Sequence, residues 1–314
     1  MGLHTAKSVA AACMAMRKGD TPIMGQNIQL LVSGLSTGVV YGLIAMGMVL
    51  IFRAVGVMNF AQGEFLMIGG YLCYTFNQIL NLPIILSLVL ASVGIGVVGV
   101  LFMRTAYWPL RKAQVRAIIV SAMGASMVFK EGARLIWGSI PVKVDKVISA
   151  PVKLFAGGII QGQYLAIIIV SAILMFLVYM LLEKTFIGHI MQATAQDQYM
   201  ASMVGVPVIF SIAMTFALSA MITGIGGGML APLFFLNNTM GATAGAKAFA
   251  AIVIGGFGSV PGAIVGGLIV GLIEAFGGAY ISTTYQLVLI YIGLILVLMV
   301  RPQGLFSGKI QEKA

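Results

Sequence analysis

One short stretch of this sequence gathers side chains that could do chemistry: Met58-Asn59-Phe60-Ala61-Gln62-Gly63-Glu64. It sets two amides and a carboxylate inside otherwise apolar sequence. Asn59 and Gln62 each bring donors and acceptors, and Phe60 places an aromatic face beside them. A carboxylate in apolar surroundings costs at least about 2.5–3.5 kcal/mol at the centre of a bilayer. Glu64 must therefore lie near an interface, pair with a base such as Arg53, or line a polar path. An ion pair pinning two helices and a path-lining role both remain open. Glu274 raises the same question in a second apolar run, nearer a helix end.

Enzyme chemistry finds little to work with. The eight acids are widely separated, and the sequence holds no HExxH, no GxSxG and no paired metal-ligand spacing. Two histidines, His4 and His189, cannot build a zinc or haem site alone, and Cys13 and Cys73 form no CxxC motif. A phosphate-binding loop needs glycines ahead of Lys and Ser or Thr. Only Lys7-Ser8 and Lys184-Thr185 carry that final pair, and neither follows the glycines. The chain is read as non-enzymatic, with no metal or cofactor of its own. If ATP drives it, a partner binds the ATP.

The elements that position these residues must be membrane helices. Hydrophobic residues make up 60% of the chain and charged residues 8%, against about 25% charged in soluble domains. Mean hydropathy is +1.07. The net charge of +10 comes from bases scattered between apolar runs, with no basic patch interleaved with aromatics. That argues for membrane orientation and against nucleic acid.

A helix crosses a bilayer core with about 20 apolar residues, so charge-free stretches mark the spans. They predict an apolar helix over Ile28–Phe52, two spans within Phe65–Met103 divided near Asn77–Pro83, and one from Ala117 that can extend through Trp137. Further spans follow at Tyr164–Leu182, Val208–Leu230 and Tyr285–Val300. Between the last two, Ala242–Ala279 reads as two apolar helices parted by Gly255-Gly256-Phe257-Gly258-Ser259-Val260-Pro261-Gly262. Gly255, Gly256, Gly258 and Pro261 open the backbone ladder there, so the break must face protein or a water-filled path. The fold class is an all-α polytopic membrane protein of about eight to nine transmembrane helices, with this Gly/Pro-broken helix in its second half.

Domain organisation follows. Residues 1–27 read as a disordered leader, 28–308 as the transmembrane domain and 309–314 as a tail. Arg104–Arg116 carries four bases and no acid and is placed in the cytoplasm. Parity then puts the loop at about 183–207 in the cytoplasm too. A cytoplasmic tail requires the broken region to make two short crossings. The same count puts residues 1–27 outside despite Lys7, Arg17 and Lys18, unless Arg53–Glu64 adds a partial crossing. Gly34, Gly38 and Gly42 share one helix face, and Gly262 with Gly266 and Gly267 with Gly271 repeat the spacing. Such faces let helix backbones approach closely.

The cytoplasmic loop from Gly188 to Gly205 has an amphipathic helical rhythm: Met191, Ala195, Met200 and Met203 stand among polar neighbours. Such a helix lies on the membrane surface or offers a seat to a docking partner.

The order of motifs resembles the membrane permease subunits of branched-chain amino acid ABC importers. Carrying it are Asn59-Phe60-Ala61-Gln62-Gly63-Glu64, Tyr107-Trp108-Pro109-Leu110-Arg111, the Gly188…Asp197…Gly205 loop, Gly255–Gly262, and Arg301-Pro302-Gln303-Gly304-Leu305-Phe306. The resemblance runs from about Asn27 to Gly308. The resemblance implies a multi-pass subunit of the bacterial inner membrane, paired with a homologous permease or with itself. Two ATP-binding subunits holding ATP and Mg would dock below, and a periplasmic substrate-binding protein would deliver leucine, isoleucine or valine. Gly188, Gln192, Ala193, Asp197, Ala201 and Gly205 would then form the coupling loop to the ATPase. The sequence departs from the family with Gln192 and Trp108 where relatives often carry Arg. Relatives with nearly the same motifs move urea, short amides or other amino acids, and a channel or carrier working without ATP is the alternative outside the family.

Overall fold

A computed structural model describes residues 23–306 except 149 and 154–158. The leader therefore lies outside the described residues up to position 22, and the 309–314 tail lies outside them entirely. Eleven α-helices follow in order: α1 (Ile23–Val55), α2 (Gln62–Tyr74), α3 (Ile84–Phe102), α4 (Val115–Trp137), α5 (Gly162–Lys184), α6 (Phe186–Gln196), α7 (Gln198–Met203), α8 (Val208–Leu230), α9 (Met240–Gly255), α10 (Val260–Tyr280) and α11 (Gln286–Val300). One antiparallel hairpin, β1 (Pro151–Lys153) with β2 (Ile159–Gln161), joins α4 to α5. Among the described residues, five helical stretches are long and apolar enough to cross a membrane: Gly25–Val55, Ile84–Leu110, Gly162–Lys184, Val208–Leu230 and Val260–Tyr280. Helices α9 and α11 are apolar but shorter.

Local sequence accounts for the boundaries. A π-helical turn extends α2 to Ile79, where Asn81 takes a left-handed φ of 53° and Pro83 opens α3. Pro83 has no N–H to give a continuing helix, so the expected division falls here. Helix α4 does run through Lys130 and Glu131 to Trp137, with Glu131 and Arg134 as an exposed ion pair at 3.5 Å.

Contacts sort the loops to two ends of the bundle. At one end, Gln198 reaches Ala54, Arg53 reaches Gly258, and Leu305 and Phe306 pair with Ile254 and Gly255. At the other, Tyr280 bonds Asn27, Trp137 bonds Thr75, and Val142 pairs with Leu236. The 183–207 loop, expected in the cytoplasm, meets residues 53–54 at the first end, where Tyr107 of the expected cytoplasmic segment 104–116 also bonds Gln198.

Helix polarity repeats with inversion. Helix α1 ends at the Arg53 end, whereas α8 begins there; α3 ends there, whereas α10 begins there. Helices α2 and α9 both start at mid-depth and run to opposite faces, so Gly56–Ala61 is a partial crossing. The broken region holds two helices, α9 running from mid-depth to the Arg53 end and α10 running back from it. The two triplets interlock, α1 lying along α10 and α3 along α8. Opposed repeats of this kind carry half-helices whose N-termini meet near the middle of the membrane.

Glycine sets the distances. A Cβ on Gly271 would stand 2.3 Å from Gly38 Cα, and one on Gly267 would stand 2.4 Å from Gly42 N. The α1 glycine face thus meets α10 directly, a pairing that the spacing left open. Gly262 and Gly266 use the same property against Gly255 and Ala251 of α9.

Candidate functional site

At mid-depth, the start of α2 is tied into α8 by one amide. Gln62 is fully buried, and its Nε2 donates to Ser219 Oγ at 2.8 Å and Thr223 Oγ1 at 2.6 Å. Ser219 Oγ donates onward to Gly47 O of α1 at 2.8 Å. A Cβ on Gly47 would meet Gln62 Nε2 at 2.6 Å, so only glycine leaves the amide its place. Asn59 closes the knot: its Nδ2 donates to Gln62 Oε1 at 3.2 Å, and its Oδ1 accepts from Ala61 N at 3.0 Å.

Glu64 sits two residues further on, 2% exposed, where α2, α4 and α9 converge. Ser126 Oγ of α4 donates to its Oε1 at 3.1 Å. Its Oε2 has no hydrogen-bond partner and points at the first turn of α9, 2.4 Å from where a Gly241 Cβ would be. Arg53, the base proposed from sequence, does not reach it; that guanidinium is engaged by Gly258 O at 2.7 Å. The positive end of the α9 dipole faces the carboxylate instead. Phe60 is 42% exposed and lies against Phe249 of α9, ring centroids 6.0 Å apart.

The glycine break is elsewhere. Gly255, Gly256, Gly258 and Pro261 lie at the far end of α9, about 21 Å from Gly241 at 1.5 Å per residue. Gly256 (φ +109°) and Gly258 (φ +78°) reverse the chain, Ser259 caps α10 by accepting from Gly262 N, and exposed Pro261 occupies its first turn. The backbone opened here is met by protein: Leu305 N donates to Ile254 O at 3.0 Å and Phe306 N to Gly255 O at 2.9 Å. The fold thus joins Asn59, Gln62 and Glu64 to the start of α9 and sets the break apart from them.

Helices α6 and α7 hang from the same end as the break. Thr185 caps α6 by accepting from Gly188 N, and Asp197 caps α7 by accepting from Tyr199 N at 2.8 Å and Met200 N at 3.0 Å. Gln192 Nε2 donates to Leu182 O of α5 at 2.7 Å, with Ala193 half-buried beside it. Gly188 and Ala201 are buried: a Cβ on Gly188 would strike Leu181 O and Leu182 O. Of the residues expected to form the coupling loop, these two face inward and seat the loop on the bundle. Gly205 is open to solvent and turns the chain at φ +82°. Its exposed apolar side chains include Phe186 and Val204, each 80% exposed, with Tyr199, Met200 and Met203; His189, Gln196, Asp197 and Ser202 are exposed as well.

Sequence reasoning missed Lys247. Its Nζ lies 2.6 Å from Glu274 Oε1 and 3.2 Å from Tyr41 Oη, with both charged side chains about 15% exposed. This pair pins α9 to α10 and α1. A lone base and a lone acid, each interrupting an apolar run, were the available signal. Ser126, Ser219 and Thr223 gave none.

Residues 30–299 match the family described as branched-chain amino acid transport system / permease component. The chain belongs to this permease family. LivH of Salmonella typhimurium and LivH of Escherichia coli K12, each a high-affinity branched-chain amino acid transport system permease protein, are both 33% identical over 91% of this chain and 97% of their own length. BraD of Pseudomonas aeruginosa, with the same description, is 31% identical over 91% of this chain and 97% of its length. The chain is a transport subunit, not an enzyme, and a multi-pass protein of the bacterial inner membrane.

Proposed function

We propose that this permease is the membrane subunit of an ATP-driven importer for branched-chain amino acids. It pairs with a homologous permease or a second copy of itself, takes solute from a periplasmic binding protein, and uses ATP and Mg held by two separate ATP-binding subunits. The observation that carries the reading is the α6–α7 segment. It sets Phe186, Tyr199, Met200, Met203 and Val204 outward at the basic end while its small and capped residues fix it to the bundle. A rigidly held apolar patch of this size, set among polar caps, fits a protein partner. The similarity to LivH and BraD supports the solute class.

Solute crosses beside the mid-depth junction. Phe60 and Phe249 give an apolar wall for an aliphatic side chain, while Glu64 and Ser126 stand behind it for the charged backbone groups. Selectivity rests mainly with the external binding protein, because tight binding inside the membrane would slow release.

Purification in mild detergent, with mass analysis and an ATPase assay, tests the assembly; leucine uptake into vesicles tests the solute. Co-purified ATPase subunits and ATP-dependent leucine uptake are expected. Uptake of urea or a short amide in place of leucine would reassign the solute. A homo-oligomer that transports without ATP would replace the importer by a channel or carrier.

A further inference from the structure

Residues 52–54 at the end of α1 touch both the α6–α7 segment and the α9–α10 break. Ala54 O accepts a hydrogen bond from Gln198 Nε2 of α7 at 2.8 Å. Its neighbour Arg53 donates from Nε to Gly258 O at 2.7 Å, and the Glu183 carboxylate at the end of α5 attracts the same guanidinium. Phe52 lies against Phe257, ring centroids 6.2 Å apart. Residues 305 and 306 hold the other side of the break by two backbone hydrogen bonds, to Ile254 O and Gly255 O. Beyond it, α9 is a single unbroken helix whose first turn abuts Glu64.

From this we infer that Arg53 is the positioning residue through which movement of the α6–α7 segment is passed to α9 and hence to the Glu64 junction. The inference rests on the importer reading above. A push on α7 reaches α1 through Gln198 and Ala54. It leaves α1 for the break through Arg53, whose bond to a backbone carbonyl acts whatever the side chain at position 258. Glycine is required at 258 for its left-handed φ, so the carbonyl faces Arg53 by virtue of the turn. Helix α9 then carries the displacement as a rigid rod, since interiors packed on backbone transmit strain instead of absorbing it.

The test uses the whole complex in vesicles and reads uptake and ATP hydrolysis together, so that their ratio is the observable. Arg53→Ala is expected to assemble and hydrolyse ATP while amino acid moved per ATP falls about tenfold, as for the loss of one charge-assisted hydrogen bond. Arg53→Lys, which keeps a donor, should recover much of the ratio. Gln198→Ala should lower it as well, and the double variant should be no worse than the poorer single, because the two bonds lie in series. An unchanged ratio in Arg53→Ala, or losses that multiply in the double variant, overturns the inference. Equal losses of uptake, hydrolysis and complex yield would make Arg53 merely structural and overturn it too. A wild-type chain that captures no ATPase would instead remove the importer reading, and this inference with it.

Discussion

A methyl group added at the α1–α10 crossing should do opposite things to one added on α4. Gly271 lies where a Cβ would be 2.3 Å from Gly38 Cα and 2.4 Å from Gly34 O. Ordinary contact begins near 3.4 Å, so Gly271→Ala forces two helix backbones apart by about 1 Å. Separation on that scale forfeits a quarter to a half of each local dispersion contact, along the most extensive helix pair in the molecule. Gly124 and Gly132 of α4 have nothing within 4 Å of the same added atom. All three sit inside helices, where alanine gains about 1 kcal/mol over glycine. Overpacking that must move backbone costs about 2–3 kcal/mol, the upper part of the usual range, so Gly271→Ala should come out destabilised by about 1–2 kcal/mol. At roughly 2 °C per kcal/mol for a chain of this size, the apparent melting temperature in detergent should fall by about 2–4 °C. Gly124→Ala and Gly132→Ala should hold or raise it, and Gly267→Ala with Gly271→Ala should fall below either alone. Equal shifts at Gly271 and Gly124 would refute close backbone approach as the reason for glycine at this crossing.

Three further outcomes are expected. Glu274→Leu strands the Lys247 charge and should destabilise the purified chain by about 3–5 kcal/mol, whereas adding Lys247→Met should restore most of the loss; thermal shifts of the wild type, the single variant and the double variant check this. Glu64→Ala should lower leucine uptake or complex yield, and normal values of both would remove Glu64 from the site. Met200→Glu with Met203→Glu, on the exposed α7 face, should abolish co-purification of an ATPase while leaving the permease's own melting temperature within about 1 °C, since surface changes of this kind stay near ±0.5 kcal/mol.

Much of this architecture was legible because lipid imposes simple rules on sequence. Charge-free stretches marked Tyr164–Leu182 inside α5 and the whole of α8, and the Gly255–Gly262 cluster marked a real reversal. Glu64 stood out because a carboxylate in apolar sequence needs a reason. Depth and partnership were not legible. A partial crossing at Arg53–Glu64 was one of two readings the charges left open; Asn59–Glu64 does enter the bundle, because hydroxyls on α8 complete its hydrogen bonds, and Ser219 and Thr223 look like ordinary helix residues. The break was expected on the path and lies at the end of the bundle, since a pattern of glycines gives no distance along the membrane normal. The glycine faces were each visible, but spacing alone cannot say that Gly38 meets Gly267 and Gly271 while Gly262 meets Gly255. The β1–β2 hairpin is too short to leave a periodic signal.

The knot around Gln62 also bears on what the protein must keep out. An energised bacterial membrane stores work as voltage, and each elementary charge slipping through 100 mV dissipates about 2.3 kcal/mol. Protons leak along files of water, and water enters where polar groups are short of partners. Gln62, Asn59, Ser219 and Thr223 turn their hydrogen bonds on one another and on backbone, at the level where Gly63 and Gly241 bring two helices into backbone contact. The four side chains of the knot are thereby held at the centre of the membrane without drawing water to themselves, while Glu64 Oε2, which is short of a partner, is shut against the first turn of α9; the knot acts as an insulator, so solute can be moved past it without spending the cell's voltage.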